Sequence, residues 1–277
     1  MFKQILHISL KLADLIPSEY PYEPDLFEDI MAMQGKAFRD VPGRKTMRIQ
    51  LGDKSYFIKQ HFGVGWGEIF KNLMSFKLPI LGAMTEVTAI KKLDDIGIAT
   101  TPLVAYGQRG YNPATLQSFV INEDLGDIVT LEELFEAGLQ ANIHAPSRPA
   151  ILKALGELAA KLHSAGLSHR DFYLCHFVCK KAELESGNVN LHLIDLHRVL
   201  QGQPSHGAAV MKDMAGLCFS MLQIGLTAAD FSVIKQYYLS QTNAFWAKVE
   251  ARAQQLLTKF NSNKFQARLA KEKSAIR

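Results

Sequence analysis

Two carboxylates in the second half of this 277-residue chain have surroundings suited to phosphoryl transfer. Asp171 follows His169 and Arg170 where the pattern indicates a loop after a helix, and Asp195 closes a short apolar strand at residues 191–194. The reaction needs one carboxylate that accepts the proton of an attacking hydroxyl, and a second that holds the Mg²⁺ bridging the nucleotide phosphates. We therefore interpret Asp171 as a candidate catalytic base and Asp195 as a candidate magnesium ligand.

The spacing after Asp171 follows the catalytic-loop pattern HRDLxxxN of protein kinases, with one departure. Phe172 stands at the apolar position, and His176 stands where the pattern has asparagine. Magnesium prefers hard oxygen ligands, so an imidazole is a poor replacement for an amide oxygen. Three roles stay open for His176: a metal ligand acting through water, a phosphate contact, or a brace for the loop.

In an isolated HRD triplet, the aspartate is more often an ordinary acidic residue on a solvated turn than a catalytic base. Here a helix precedes it, because residues 150–166 place four apolar side chains on one helical stripe and Gly166 occupies the position of a helix-terminating glycine. The stripe consists of Ile151, Leu155, Leu158 and Leu162. A buried helix therefore leads directly into the HRD loop, and this favours the interpretation of Asp171 as a catalytic base.

Short alternating runs from Met31 to Phe62 predict three antiparallel strands joined by hairpins. The third strand, SYFIKQ at residues 55–60, places Lys59 like the phosphate-binding lysine of the kinase motif VAIK. Glu86, 27 residues later and near the start of a predicted helix over 83–96, is the expected partner of Lys59. The alternatives are an exposed lysine on an edge strand and a glutamate that complements a helix dipole.

The remaining nucleotide contacts are predicted with weaker motifs. The segment from Gly35 to Gly43 is predicted to be a loop over the phosphates, although it lacks a strict GxGxxG. Predicted strands at 102–107 and 117–122 complete a five-stranded lobe. Glu123 follows the second of them, where a kinase has the hinge whose backbone binds adenine.

The pattern as a whole predicts an α+β, two-lobe, protein-kinase-like fold with a small antiparallel lobe and a larger helical lobe. We expect a lead-in at 1–30, a nucleotide-binding lobe at 31–125, a catalytic helical lobe at 126–258 and a basic tail at 259–277. A helix with a capping box should start after Thr130, and residues 139–149 read as a polar connector. On the apolar helix 207–226, Asp213 needs buried donors, for which we expect backbone amides of the catalytic loop.

Composition limits the classes of protein and partner. The chain is 48% hydrophobic, has no run of about 20 apolar residues, and shows no signal-peptide pattern, so we expect a cytoplasmic protein. Its three cysteines form no CxxC pair, and the CHFVC cluster at 175–179 lacks the second half of a zinc site.

The tail carries six basic residues and one acidic residue, so it holds +5 while the rest of the chain is near −1. A solvated end is the usual explanation, and contact with an anionic membrane surface is the functional one. We expect no nucleic-acid binding, because aromatic residues do not alternate with the basic ones.

A second candidate for membrane or partner contact is the helix beginning at Trp66. Its apolar residues recur at helical spacing, which predicts core packing, with an interfacial or docking helix as the alternative. They are Trp66, Ile69, Phe70, Leu73, Phe76 and Ile80, flanked by Lys71 and Lys77.

Four segments together resemble the lipopolysaccharide core heptose(I) kinases: HRDFYLCHF at 169–177, LIDLHR at 193–198, HFGVGWGEIFKN at 61–72 and LPILGAMTE at 78–86. The resemblance covers about Gly35 to Arg198. It is more specific than the HRD triplet and separates the sequence from general protein kinases and from the Kdo kinases. His176 belongs to this family's own signature, so the missing asparagine does not argue against activity.

The resemblance implies transfer of phosphate from ATP, with Mg²⁺, to the 4-hydroxyl of the first heptose of the lipopolysaccharide inner core. It implies work at the cytoplasmic face of the inner membrane. The residues themselves make the basic tail and the Trp66 helix the candidates for peripheral contact with that membrane. By the same resemblance Asp171 is the base, Asp195 the magnesium ligand, Lys59 the phosphate-binding lysine and Glu86 its partner.

Two other functions stay open from the residues. One is a kinase for another sugar, small-molecule or protein hydroxyl, which a different acceptor in a transfer assay would identify. The other is a partner-binding pseudokinase. The joint presence of Lys59, Glu86, Asp171 and Asp195 weighs against it, because a binding module has no chemical need for all four.

Overall fold

The backbone of residues 4–9, 25–74, 82–138 and 147–275 is described by a computed structural model. Contacts divide the chain into two units. The first comprises Met1–Asp95, Thr100–Gly126 and Asp195–Arg198, and the second comprises Ile96–Ala99, Asp127–Ile194 and Val199–Arg277. Within the described ranges, none of the helices combines the length and the apolarity that crossing a bilayer requires.

The first unit contains one six-stranded sheet, in the order β1-β5-β6-β4-β3-β2, with antiparallel neighbours throughout. The strands are β1 (Gln4–Ile8), β2 (Lys36–Val41), β3 (Arg44–Leu51), β4 (Lys54–His61), β5 (Leu103–Arg109) and β6 (Gln117–Glu123). The prediction of five strands is wrong by one. The missed strand, β1, is a five-residue strand at the sheet edge with most of its side chains exposed, although Leu6 and Ile8 flank His7 in an alternating pattern.

Strand alternation gives this sheet two chemically different faces. One face carries Met47, Ile49 and Ile58, which pack against Phe27 and Ile30 of helix α1 (Leu26–Ala32). Residues 25–30 of the predicted lead-in therefore contribute to the core. The opposite face receives the polar residues that alternate with this apolar set.

Two more helices belong to the first unit: α2 (Gly65–Met74) and α3 (Met84–Asp95). Among the stripe residues whose side chains the structure describes, Ile69 is buried, whereas Trp66 is 50% and Phe70 60% exposed. The prediction of core packing is wrong for these two aromatic side chains, because periodicity defines a helix face but not what covers it. Phe76, Lys77 and Ile80 lie outside the described residues, as does the side chain of Leu73.

The second unit has a three-stranded antiparallel sheet and seven described helices. The strands are β7 (Ile128–Thr130), β8 (Phe177–Lys180) and β9 (His192–Leu193). The helices are α4 (Leu131–Glu136), α5 (Arg148–Ser164), α6 (Lys181–Glu185), α7 (Ala208–Gln223), α8 (Ala228–Tyr237), α9 (Asn243–Phe260) and α10 (Asn263–Ala275). Helix α4 starts at the predicted capping box, whereas residues 139–146 of the predicted connector lie outside the described residues.

Helix α5 is the element that delivers the HRD loop, as its apolar stripe predicts. The four stripe residues are buried, and the helix ends before Gly166, whose φ of +74° suits glycine. Gly156 in its middle allows close packing against α8. A Cβ atom at Gly156 would lie 2.8 Å from the carbonyl oxygen of Ile234.

Candidate active site

Lys59, Glu86 and Asp195 meet in the first unit. The Lys59 Nζ lies 2.8 and 3.0 Å from the two carboxylate oxygens of Glu86 and 3.4 Å from Asp195 Oδ1. The Lys59 and Glu86 side chains are largely buried, at 15% and 4% exposure, whereas Asp195 is 33% exposed. The predicted pairing of Lys59 with Glu86 is thus present, and it holds the ammonium beside the most accessible carboxylate of the cluster.

The backbone at Asp195 adopts a conformation that non-glycine residues rarely use. Its φ is +62°, two residues after the end of strand β9, and Asp195 Oδ1 accepts a hydrogen bond of 2.6 Å from His197 Nδ1. Such strain persists only where the surroundings enforce it, and it is concentrated at functional sites. His197 was missed in the sequence, since the kinase pattern has glycine there and gives a histidine no role.

The sheet face around Lys59 is basic. His61 is buried two residues beyond Lys59, and burial lowers the pKa of its imidazole to about 3, helped by Arg44, Lys59 and His197. His61 is therefore neutral at pH 7. Burial also lowers the pKa of the Arg44 guanidinium, with Arg39 adding repulsion, while Glu86 and Asp195 oppose the shift.

In the second unit, Asp213 of α7 holds the backbone of the HRD loop. Its carboxylate accepts hydrogen bonds from the amides of His169, at 2.6 Å, and Arg170, at 2.8 Å. The prediction that loop amides satisfy this buried aspartate is confirmed. Arg170 has a φ of +72°, so these bonds stabilise a strained residue directly before Asp171.

A buried histidine on α5 extends this network. His163 Nε2 lies 3.3 Å from Asp213 Oδ2, and its Nδ1 lies 2.7 Å from the Tyr238 hydroxyl. A carboxylate only accepts, so Nε2 donates to Asp213, and Nδ1 forms its hydrogen bond with the Tyr238 hydroxyl. Burial raises the pKa of Tyr238, with Asp213 adding to the rise, which keeps the hydroxyl protonated.

His176 braces the loop that contains Asp171. Its Nδ1 lies 2.6 Å from the backbone carbonyl oxygen of Asp171 and therefore donates to it. Its own carbonyl accepts from the amide of Ile194 at 3.0 Å, and the ring of His169 donates to the Ile194 carbonyl. Of the three roles considered for His176, the bracing contact is observed. Its Nε2 is then the ring nitrogen that could serve as a metal ligand.

The glycine segment differs from its prediction. Residues 36–41 form strand β2, so the expected loop between Gly35 and Gly43 is reduced to a tight turn at residues 42–43. Gly43 has a φ of +80°, and a Cβ there would lie 2.5 Å from the Gly63 carbonyl oxygen. A Cβ at Gly35 would clash with the Arg48 carbonyl. Both glycines are required by the hairpin itself, and their contact with phosphates stays a prediction.

Glu123 is the last residue of strand β6, one residue beyond the predicted end of this strand. Its amide already donates to the Pro102 carbonyl, and the amide of Asp124 donates to Ser55. The Glu123 side chain lies 3.5 Å from Lys54. These two amides are therefore engaged within the protein, and the proposed adenine contact at Glu123 stays a prediction.

Magnesium fits the residues present at Asp195. Nucleotide-bound Mg²⁺ takes one or two carboxylates and completes its shell with phosphate oxygens and water. No group of three or more His, Cys, Asp or Glu side chains is arranged for a metal ion in the part of the chain that the structure describes. The partly exposed carboxylate of Asp195 is a ligand of the right chemical type.

A lysine paired with a helix glutamate, a magnesium-binding aspartate and an HRD loop occur together in kinase-fold phosphotransferases. The α+β architecture agrees with that class. Residues 28–238 match the model of the lipopolysaccharide kinase (Kdo/WaaP) family, and the chain belongs to this family.

Three curated relatives share the name lipopolysaccharide core heptose(I) kinase WaaP. The lipopolysaccharide core heptose(I) kinase WaaP of Pseudomonas aeruginosa is 40% identical over 207 residues, which cover 74% of this chain and 77% of the relative. The WaaP of Escherichia coli is 35% identical over 243 residues, covering 83% and 90%. A solved structure of WaaP in complex with acyl carrier protein has a TM-score of 0.72 at 30% identity and covers 91% of this chain and 99% of that one.

Proposed function

We propose that this protein transfers the γ-phosphate of ATP, with Mg²⁺, to the 4-hydroxyl of the first heptose of the lipopolysaccharide inner core. The observation that carries the proposal is the Lys59–Glu86–Asp195 cluster in a chain whose relatives are heptose(I) kinases. A binding-only relative would have no chemical reason to keep a buried lysine beside two carboxylates.

Each residue has a separate role in this proposal. Lys59, held by Glu86, binds donor phosphate oxygens, and Asp195 holds the magnesium ion. When bound, that ion neutralises charge on the phosphates and orients them. Asp171 orients the sugar hydroxyl and accepts its proton. The amides of His169 and Arg170, fixed by Asp213, keep the backbone before Asp171 in its strained conformation.

The test is phosphate transfer from Mg-ATP to a heptose-containing core acceptor, with the phosphorylated position located by NMR. Because the solved relative is in complex with an acyl carrier protein, we include that partner in the proposal and run the assay with and without it. Phosphate on the first heptose supports the function. Tight Mg-ATP binding with transfer only to another acceptor would favour the alternative kinase, and no Mg-ATP binding would favour the pseudokinase.

We also propose peripheral contact with the cytoplasmic face of the inner membrane through the basic tail. Helix α10 carries Lys264, Arg268 and Lys271 on exposed positions. Each basic residue near an anionic surface contributes about 1 kcal/mol, so replacing all three by glutamine should weaken vesicle binding about 100-fold.

The measurement is sedimentation with anionic and neutral vesicles at two salt concentrations. Substitution is preferable to deleting residues 259–277, because α9 continues to Phe260 and deletion would cut into it. Screening predicts that wild-type binding falls as salt rises. Unchanged vesicle binding of the triple variant would assign the contact to the Trp66 helix, and no binding by the wild-type protein would remove the proposed contact.

A further inference from the structure

The pairing of strands β3 and β4 puts a second cation beside Lys59. In their antiparallel register Arg44 is opposite His61, and Thr46 is opposite Lys59. Residues directly opposite each other share a sheet face, and residues two apart along a strand share it as well. Arg44 therefore lies on the same face as Lys59, one alternation closer to the turn at residues 42–43.

Arg44 has a donor that the protein leaves unused. Its Nε is buried and has no hydrogen-bond partner among the described residues. A buried donor without a partner is unfavourable, and such atoms in native proteins need a specific explanation. Lys59, in contrast, already contacts Glu86 and Asp195.

The charged groups around Arg44 include more cations than anions. Arg39, Arg44 and Lys59 are opposed by the two carboxylates Glu86 and Asp195, and the neighbouring His61 is uncharged at pH 7. The position of Arg44 is fixed by the hairpin, because the Phe62 amide donates to the Gly43 carbonyl directly before it. A guanidinium offers donors in a planar fork that matches phosphate oxygens.

We propose that Arg44 binds a phosphate group of the donor nucleotide, as a second cation in addition to Lys59. This inference rests on the proposed kinase function and specifies its donor site. The turn at residues 42–43 then has a different role from the one predicted for a glycine loop. It fixes the position of Arg44, and the side chain of Arg44 contacts the phosphate.

The experiment measures binding by calorimetry with Mg-ATP, adenosine and inorganic tripolyphosphate. Arg44→Met should weaken binding of Mg-ATP and tripolyphosphate about 10- to 100-fold, the loss expected for one charge-assisted contact, and leave adenosine unchanged. Lys45→Met is the matched control. Lys45 is the next residue of the strand, points to the other sheet face and donates to Gln34, so its removal should change none of the three affinities.

Equal Mg-ATP affinity in wild type and Arg44→Met would overturn the inference. Equal losses of affinity for adenosine and for Mg-ATP would also overturn it, because they indicate a structural role of Arg44. If Arg44→Met does not fold, Arg44→Gln carries the same expectation. Wild-type protein that neither binds Mg-ATP nor transfers phosphate would remove the proposed function together with the inference. Wild-type transfer with an unaffected Arg44 variant would remove the inference alone.

Discussion

Replacing Asp171 by asparagine should lower the rate of phosphate transfer about 100- to 10,000-fold without unfolding the protein, the range expected for loss of a positioned general base. Asparagine has nearly the same shape but cannot accept the hydroxyl proton. The backbone carbonyl of Asp171 accepts from His176 and from the Tyr173 amide, and both bonds survive the substitution.

The measurement is the single-turnover rate at saturating Mg-ATP, together with Mg-ATP affinity and melting temperature. Asp127→Asn, in the same unit at a carboxylate whose side chain is 75% exposed, is the control and should retain wild-type turnover. A near wild-type rate for Asp171→Asn would show that another group accepts the proton.

Replacing Asp213 by alanine should lower the free energy of unfolding by about 3–5 kcal/mol. The change leaves the amides of His169 and Arg170 and the ring of His163 without their acceptor in a buried site. It also releases the strained backbone at Arg170, so transfer activity should fall in the fraction that stays folded.

Urea unfolding of wild type, Asp213→Ala and Tyr238→Phe gives a graded comparison. Tyr238→Phe removes one hydroxyl from the far end of the network, and we expect a loss of about 1 kcal/mol. If Asp213→Ala unfolded at the same urea concentration as the wild-type protein, the hydrogen-bond network around Asp213 would not contribute measurably to stability.

Local patterns predicted the parts of the site whose geometry follows from one strand or one helix. Lys59 on its strand, Glu86 on its helix, and the buried Asp213 with its need for amide donors all follow from short-range spacing and from the cost of burying charge. Helix α5 was predictable for the same reason, since its four-residue stripe and Gly166 mark both the face and the end.

The features that were missed depend on contacts between distant segments. Strand β1 pairs with β5 about 100 residues later, and nothing in its own five residues specifies that partner. Arg44 gains its neighbours from strand register, and the exposure of Trp66 depends on which elements pack over α2. The predicted loop at Gly35–Gly43 became a strand because hairpin pairing with β3 extends over it.

Asp195–Arg198 belong to the first unit, but the ribosome synthesises them after residues 127–194 of the second unit. The sheet and helices up to Gly126 emerge first, but α3 packs against Leu196–Arg198, where Leu196 is buried. About 70 residues of the second unit must be translated before that contact can form. A nascent chain ending near residue 126 therefore lacks Asp195 and leaves part of α3 uncovered, which makes the first unit dependent on translation of the second for its completion.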